Sequence, residues 1–179
     1  LLFQTSAHGI GLVGHCELCF DGRTLTYGAY DPAHQRLLRT AGAGIVFSAP
    51  REPYLRWCIG THHRRVISYS LRLPPAQAAQ LRAELERFRQ TLSPWQPEAL
   101  PEDCFAGRLR RLGGVRFWRV QRGPYATYFI PTINCVSLTN ELLEKTDIGR
   151  TVMLGLKTPG AYLDLLEREY LAGNPAVTA

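Results

Sequence analysis

The sequence has no apolar run close to the roughly 18 to 20 residues that a membrane-spanning helix requires, so none of its 179 residues reads as such a span. Its opening, Leu1-Leu2-Phe3-Gln4-Thr5, has neither a Met nor a basic stretch. No signal peptide is legible there, and the chain reads as a mature or excised piece of something longer. Low-complexity tracts and repeat periods are missing too, which excludes solenoids and arrays. Lysine is scarce: of 21 basic residues only Lys145 and Lys157 are not arginine. Nor is the cysteine count even, since five cysteines leave at least one thiol unpaired in any compartment.

What is present suits one compact domain spanning 1–179. Hydrophobic residues make up 45% and charged residues 20%, ordinary globular values, and a chain of this size buries about two-thirds of its unfolded surface without help from metal or disulfides. The formal charge is +6. Carried by arginine, it suits the bidentate recognition of phosphate or carboxylate in anionic lipid heads, glycopolymers or nucleic acid, against the plainer reading of a solvated basic surface. Cys16 and Cys19 form a C-x-x-C pair, but they lie inside an expected strand, and no second ligand pair follows with zinc-like spacing. Redox and zinc chemistry are therefore rejected, and Cys16, Cys19, Cys58 and Cys104 are read as core fillers or disulfide partners.

The expected elements are a strand-rich front and a helical rear, an α+β chain. Residues 11–20 read as a buried strand, Asp21-Gly22 as a two-residue hairpin turn, and 23–30 as the returning partner. Shorter strands are expected over 45–48, 54–59 and 66–73. Pro74-Pro75 opens a helix whose apolar stripe is Ala78, Leu81, Leu85, Phe88 and Leu92. Residues 93–103 read as an irregular loop, and 108–121 as a basic hairpin turning on Gly113-Gly114, with Phe117 and Trp118 on opposite sides of the sheet. A strand is expected over 125–130, a helix from Cys135 capped by Asn134 or Thr132, and a last helix over about 159–171.

A thiol in the first turn of a helix faces unsatisfied N–H groups and the positive end of the dipole, which favour thiolate and can hold an oxyanion. It also needs a base. Of His8, His15, His34, His62 and His63, only His15 lies mid-strand with small or apolar neighbours to fix its ring. Each residue has a plain alternative: a packed core thiol and a hydrogen-bonded core histidine.

Two stretches carry a resemblance. Gly14-His15-Cys16-Glu17-Leu18-Cys19-Phe20-Asp21-Gly22, followed by Thr26-Tyr27-Gly28-Ala29-Tyr30-Asp31, resembles the strand-histidine, hairpin and aromatic-Gly opening of circularly permuted NlpC-like papain-superfamily domains. Thr132-Ile133-Asn134-Cys135-Val136-Ser137-Leu138 is similar to their Asn-Cys helix start. Between them, residues 63–77 resemble the connector of a bacterial envelope-associated branch. The resemblance implies a permuted papain-like fold in which an antiparallel sheet packs on the helix bearing the cysteine. It makes Cys135 the nucleophile and His15 the base. The residue that orients the imidazole would come from the second strand, where Tyr27 best matches in place of the usual His, Asn or Asp; Glu17 is a second candidate.

The implied reaction is attack by Cys135 on an acyl carbon, with the oxyanion held at the helix start around Asn134 and Val136 and the leaving group protonated by His15. No cofactor or metal is called for. Relatives divide between cell-wall peptide amides and lipid acyl bonds. The apolar neighbourhood of Leu12, Tyr128 and Phe129 favours membrane lipid over cell-wall peptide as the substrate. Localisation would be secreted or periplasmic in a bacterium. As the toxin domain of an antibacterial effector, the chain would have a cognate inhibitor protein as partner. The rival classes are a non-catalytic module of the same fold and a nucleic-acid binder using the 108–122 segment, the latter disfavoured.

Overall fold

The computed structural model describes residues 1–5, 14–38, 40–96, 104–146, 151–155 and 157–179. In chain order its first strands are β1 (Leu2–Thr5), β2 (His15–Phe20), β3 (Arg23–Gly28), β4 (Ala41–Ala43) and β5 (Ile45–Pro50). Helix α1 (Arg51–Arg56) runs into a π-helical turn (Trp57–Thr61), followed by β6 (Arg65–Ser68), β7 (Ser70–Leu71), α2 (Pro75–Arg89) and β8 (Leu92–Pro94). The rear comprises α3 (Phe105–Arg110), β9 (Arg116–Val120), β10 (Thr127–Phe129), α4 (Cys135–Glu144), α5 (Pro159–Leu171) and β11 (Val177–Thr178). Among the described residues no helix is long and apolar enough to cross a membrane.

Seven strands form one sheet in the order β6-β1-β2-β3-β5-β9-β8, every neighbour antiparallel. The β2–β3 hairpin turns on Asp21 and Gly22, at φ 46° and 72°. Two successive left-handed residues are what a type I′ turn needs, and its twist matches that of the strands. Each face of the sheet carries its own core. On one side Cys16, Leu18, Tyr27 and Val46 pack against α4, α2 and α5; on the other Ile45, Phe47 and Ala49 pack against Tyr54 and Cys58 of the α1 segment and Leu109 of α3. As expected, Phe117 and Trp118 divide between the two cores.

Three expectations are corrected. Residues 54–59 are helical because Tyr54 and Cys58, four apart, bury one face at 1% and 0% exposure; a short aromatic run does not distinguish the two periods by itself. Residues 108–121 do not form a hairpin. Cys104 caps α3, its sulfur accepting the Gly107 N–H at 3.3 Å, and Ala106 and Leu109 are buried three apart. Strand β9 then pairs with β5 and β8 instead, so the basic residues are dispersed over a helix and a strand. Third, Leu92–Pro94 is a strand and not the start of a loop, whose remainder over 97–103 lies outside the described residues. The central strand β1 had no sequence signal. It is four residues long, and Leu2, Phe3 and Gln4 are all buried, so no alternation marks it.

Helix α4 begins at Cys135. Asn134 Oδ1 accepts the N–H groups of Val136 at 2.9 Å and Ser137 at 3.1 Å, while Ser137 Oγ accepts the Asn134 N–H at 2.8 Å, a reciprocal capping box. Asn134 Nδ2 also donates to the carbonyls of Ile130 and Lys157, both at 2.8 Å, so the cap ties the helix start to the chain on either side. Nearly all of α4 is buried, with Cys135, Leu138 and Leu142 on the face expected.

Candidate functional site

Strands β2 and β3 and the first turn of α4 bring most of the singled-out residues together. The Cys135 sulfur accepts the Cys16 N–H at 3.4 Å, one residue along the chain from His15. The side chains of β2 alternate: Cys16 faces α4, whereas His15 and Glu17 turn to the other side. The His15 Nε2 lies 2.5 Å from Thr26 Oγ1 and 3.0 Å from the Tyr30 hydroxyl, which are themselves 3.0 Å apart. All hydrogen bonds of this imidazole among the described residues are at Nε2, and none joins it to the Cys135 sulfur.

Glu17 is fully buried, with Oε1 at 4.0 Å from His15 Nε2 and accepting the Tyr54 hydroxyl at 2.5 Å. Its Oε2 has no hydrogen-bond partner among the described residues. Gln4 Nε2 donates to the Tyr54 hydroxyl at 3.0 Å, and Arg64 Nη1 to Gln4 Oε1 at 2.5 Å. Arg64 is thus linked to Glu17 through polar side chains and makes no ion pair with it among the described residues.

Tyr27 does not orient the imidazole. Its hydroxyl donates to the Tyr125 carbonyl at 2.9 Å and its ring lies on the α4 side. Period-2 alternation makes the residue before it, Thr26, the one that faces His15. Thr26 and Tyr30 are the polar groups the sequence reading missed; the signal was the strand period counted from Arg23 after the Asp21-Gly22 turn. The Val136 N–H, expected to hold an oxyanion, is engaged by Asn134 Oδ1. Tyr128 sits beside Cys135: burial raises its phenol, reinforced by the Cys135 and Tyr27 charges and a hydrogen bond with the cysteine side chain. Phe129 is half-buried in β10, where its N–H donates to the Ile133 carbonyl at 2.8 Å. Leu12 lies outside the described residues.

Burial dominates the electrostatics. It pushes the Cys135 thiol up to about 11, against the lowering effect of the Cys16, Val136 and Cys135 N–H groups. It pulls His15 down to about 3, assisted by the Arg64 charge, and raises Glu17 to about 7, against the Tyr54 and Gln4 hydrogen bonds. The thiolate expected at the helix start is thus not the resting form: desolvation outweighs the dipole, and thiol and imidazole are both neutral. All five cysteines are free. Compared with protein families, curated proteins and solved structures, the chain matches none of them.

Proposed function

We propose that the chain is a cysteine-dependent acyl hydrolase or acyl transferase with a permuted papain-like arrangement, in which Cys135 is the nucleophile and His15 the base. The observation that carries this reading is that the Cys135 sulfur, at a capped helix start, accepts the N–H of Cys16 at 3.4 Å, the residue next to His15, whose Nε2 is held by Thr26 at 2.5 Å. Nδ1 makes no hydrogen bond among the described residues, and for it to serve the thiol the imidazole has to turn from the Thr26 side of β2 to the α4 side. Thr26 and Tyr30 take the place of the more usual third residue, with Glu17 behind them. The order along the chain, histidine strand before cysteine helix, is that of a permuted fold.

In the reaction the Cys135 sulfur bonds to the acyl carbon as its proton passes to His15, and the oxyanion is held by the N–H groups of Cys135 and Cys16 that point at the sulfur. His15 then protonates the leaving group as its bond breaks. Water or another acceptor attacks the thioester, giving its proton to His15 and returning the thiol. Because the resting pair is neutral, proton transfer accompanies attack and does not precede it.

A lipid acyl bond is the favoured substrate. Tyr128 and Val136 line the immediate surroundings of the sulfur, and the acids the sequence offered are both engaged. Glu17 is buried beside His15, and Asp31 is bound by Arg119 and by His34. Both are buried and so not presented to the charged end of a cell-wall peptide. A secreted antibacterial effector acting on envelope lipid, held in check by a cognate inhibitor protein, is the setting this reading suits. The test is to incubate the protein and its Cys135→Ala form with phospholipid vesicles and, separately, with peptidoglycan sacculi. Fatty acid or lysolipid released by the wild type alone supports the reading; cleaved stem peptides with intact lipid replace lipid by peptide, and no cysteine-dependent product from either overturns it.

A further inference from the structure

A groove of about 410 Å³ opens between α2 and the face of the sheet that carries Leu18 and Leu25, and neither Cys135 nor His15 lines it. Its volume lies within the range of small-molecule sites. The floor consists of half-buried apolar side chains: Phe20, Leu25, Leu85, Phe88, Leu92 and Trp118. The rim carries four arginines, Arg23, Arg82, Arg89 and Arg116, against two carboxylates, Asp21 and Glu86.

Two of these arginines are neutralised. Arg82 donates to Asp21 through Nε at 3.0 Å and Nη2 at 3.2 Å, and lies over the Phe20 ring at 5.4 Å; Arg89 Nη1 is 3.6 Å from Glu86. Arg23 and Arg116 have no carboxylate partner among the described residues. Arg23 is fixed all the same, donating to Ser48 Oγ at 2.8 Å, the Ser48 carbonyl at 3.1 Å and the Gly114 carbonyl at 2.9 Å. Those acceptors are neutral, so the guanidinium is positioned without being compensated. Ser48 stands opposite Arg116 in the β5–β9 register, so the two uncompensated cations flank one serine. Burial and the nearby Arg116 charge both lower the Arg23 pKa, as expected of two cations that face each other without an anion.

Strand periodicity fixes the direction of the groove. Leu25 follows Arg23, and Trp118 follows Arg116, by two residues on the same face, about 6.5 to 7 Å further along. The charge is at one end and the apolar surface runs away from it. We propose that this groove binds a single-chain amphiphile, its anionic carboxylate or phosphate head between Arg23 and Arg116 and its alkyl chain along Leu25, Trp118 and the inner side of α2. A nucleic-acid strand fits less well, because the cations end where the apolar floor begins and form no track for successive phosphates. The inference stands on the groove alone and does not require the Cys135 chemistry.

Trp118 supplies the readout. Laurate and dodecyl phosphate, both below their micelle-forming concentrations, are titrated into the full chain while tryptophan emission is followed, with dodecanol and inorganic phosphate as the headless and chainless comparisons. Saturable binding is expected for both amphiphiles, whichever binds more tightly naming the preferred head, with weaker binding of dodecanol and inorganic phosphate. Shortening the chain by two carbons weakens affinity on the order of tenfold. Arg116→Glu, an exposed site, weakens the amphiphiles about tenfold or more and leaves dodecanol unchanged, whereas Glu86→Gln, which frees Arg89, tightens them. Cys135→Ala binds like the wild type, so loss of catalysis and loss of this site are separable. Absence of saturable binding, indifference to Arg116→Glu with the circular dichroism intact, or displacement of the amphiphile by a single-stranded oligonucleotide would overturn the proposal.

Discussion

At the scale of single residues, the proposed chemistry depends on what faces His15. Replacing Thr26 by Val keeps the shape and removes the hydroxyl 2.5 Å from Nε2. In the proposed hydrolase, kcat is expected to fall on the order of a hundredfold with KM little changed, since only the orientation of the base is lost; Thr26→Ser should restore most of it. Cys135 itself should be a slow thiol in the resting protein. With burial pushing its pKa up to about 11 and 2% exposure, iodoacetamide at neutral pH should modify the half-buried Cys104 first. Peptide mapping of the labelled protein checks the order, and Cys135 labelling first would mean that the resting thiol is neither buried nor held protonated. The helix start at Cys135, the strand that carries His15 and the Asn134 cap were legible from residue type and position. The orienting group was not, because a one-residue error in strand register exchanges faces: Tyr27 and Thr26 are neighbours in sequence and lie on opposite sides of the sheet.

Two elements hold the cysteine in place. The first is the start of α4, where Asn134 accepts two N–H groups and donates to two carbonyls. Asn134→Ala removes a cap worth about 1 to 2 kcal/mol, and a loss at the upper end of that range is expected in urea unfolding, because the ties to Ile130 and Lys157 go with it. The second is the junction of β4 and β5 at Gly44. Its N–H donates to the Ala126 carbonyl and its carbonyl accepts from Val120, both at 2.9 Å, and a Cβ there would sit 1.9 Å from the Tyr125 carbonyl oxygen. Backbone cannot yield as a side-chain tip can, so Gly44→Ala should cost about 3 kcal/mol or more and displace the Tyr125 to Tyr128 segment that flanks the sulfur. Elements with a local cause were readable: the Asp21-Gly22 turn, the Pro74-Pro75 helix start and the Asn134 cap. Those set by tertiary packing were not. Strand β1 has no alternation because it is covered on both faces, and α3 needed its Cys104 cap and buried Leu109 to outweigh two glycines that suggested a hairpin turn.

For the molecule as a whole, the sheet divides two cores, and the proposed site straddles it at the start of β2, with Cys135 on one side and His15 on the other. Its buried acid and base leave opposite marks on stability. Burial raises Glu17 from 4.5 to about 7, so between those values the folded state holds a proton that the unfolded chain has released, and Glu17's contribution to stability declines as pH rises. Burial lowers His15 from 6.5 to about 3, so its contribution grows as pH rises through that interval. The two nearly cancel where they overlap. Glu17→Gln removes one of them, and its stability relative to wild type should climb by about 1.4 kcal/mol per pH unit between pH 4.5 and 7, measured by denaturant unfolding at several pH values. A constant difference would mean that Glu17 is not the buried acid described. The central claim, that Cys135 forms an acyl-enzyme with His15 as its base, is tested most directly by intact mass spectrometry after rapid acid quench with phospholipid vesicles as substrate. The account predicts a transient acyl adduct mapped to Cys135 in the wild type, absent from Cys135→Ala and strongly diminished in His15→Ala. An adduct on another residue, or one that forms equally without His15, would contradict it.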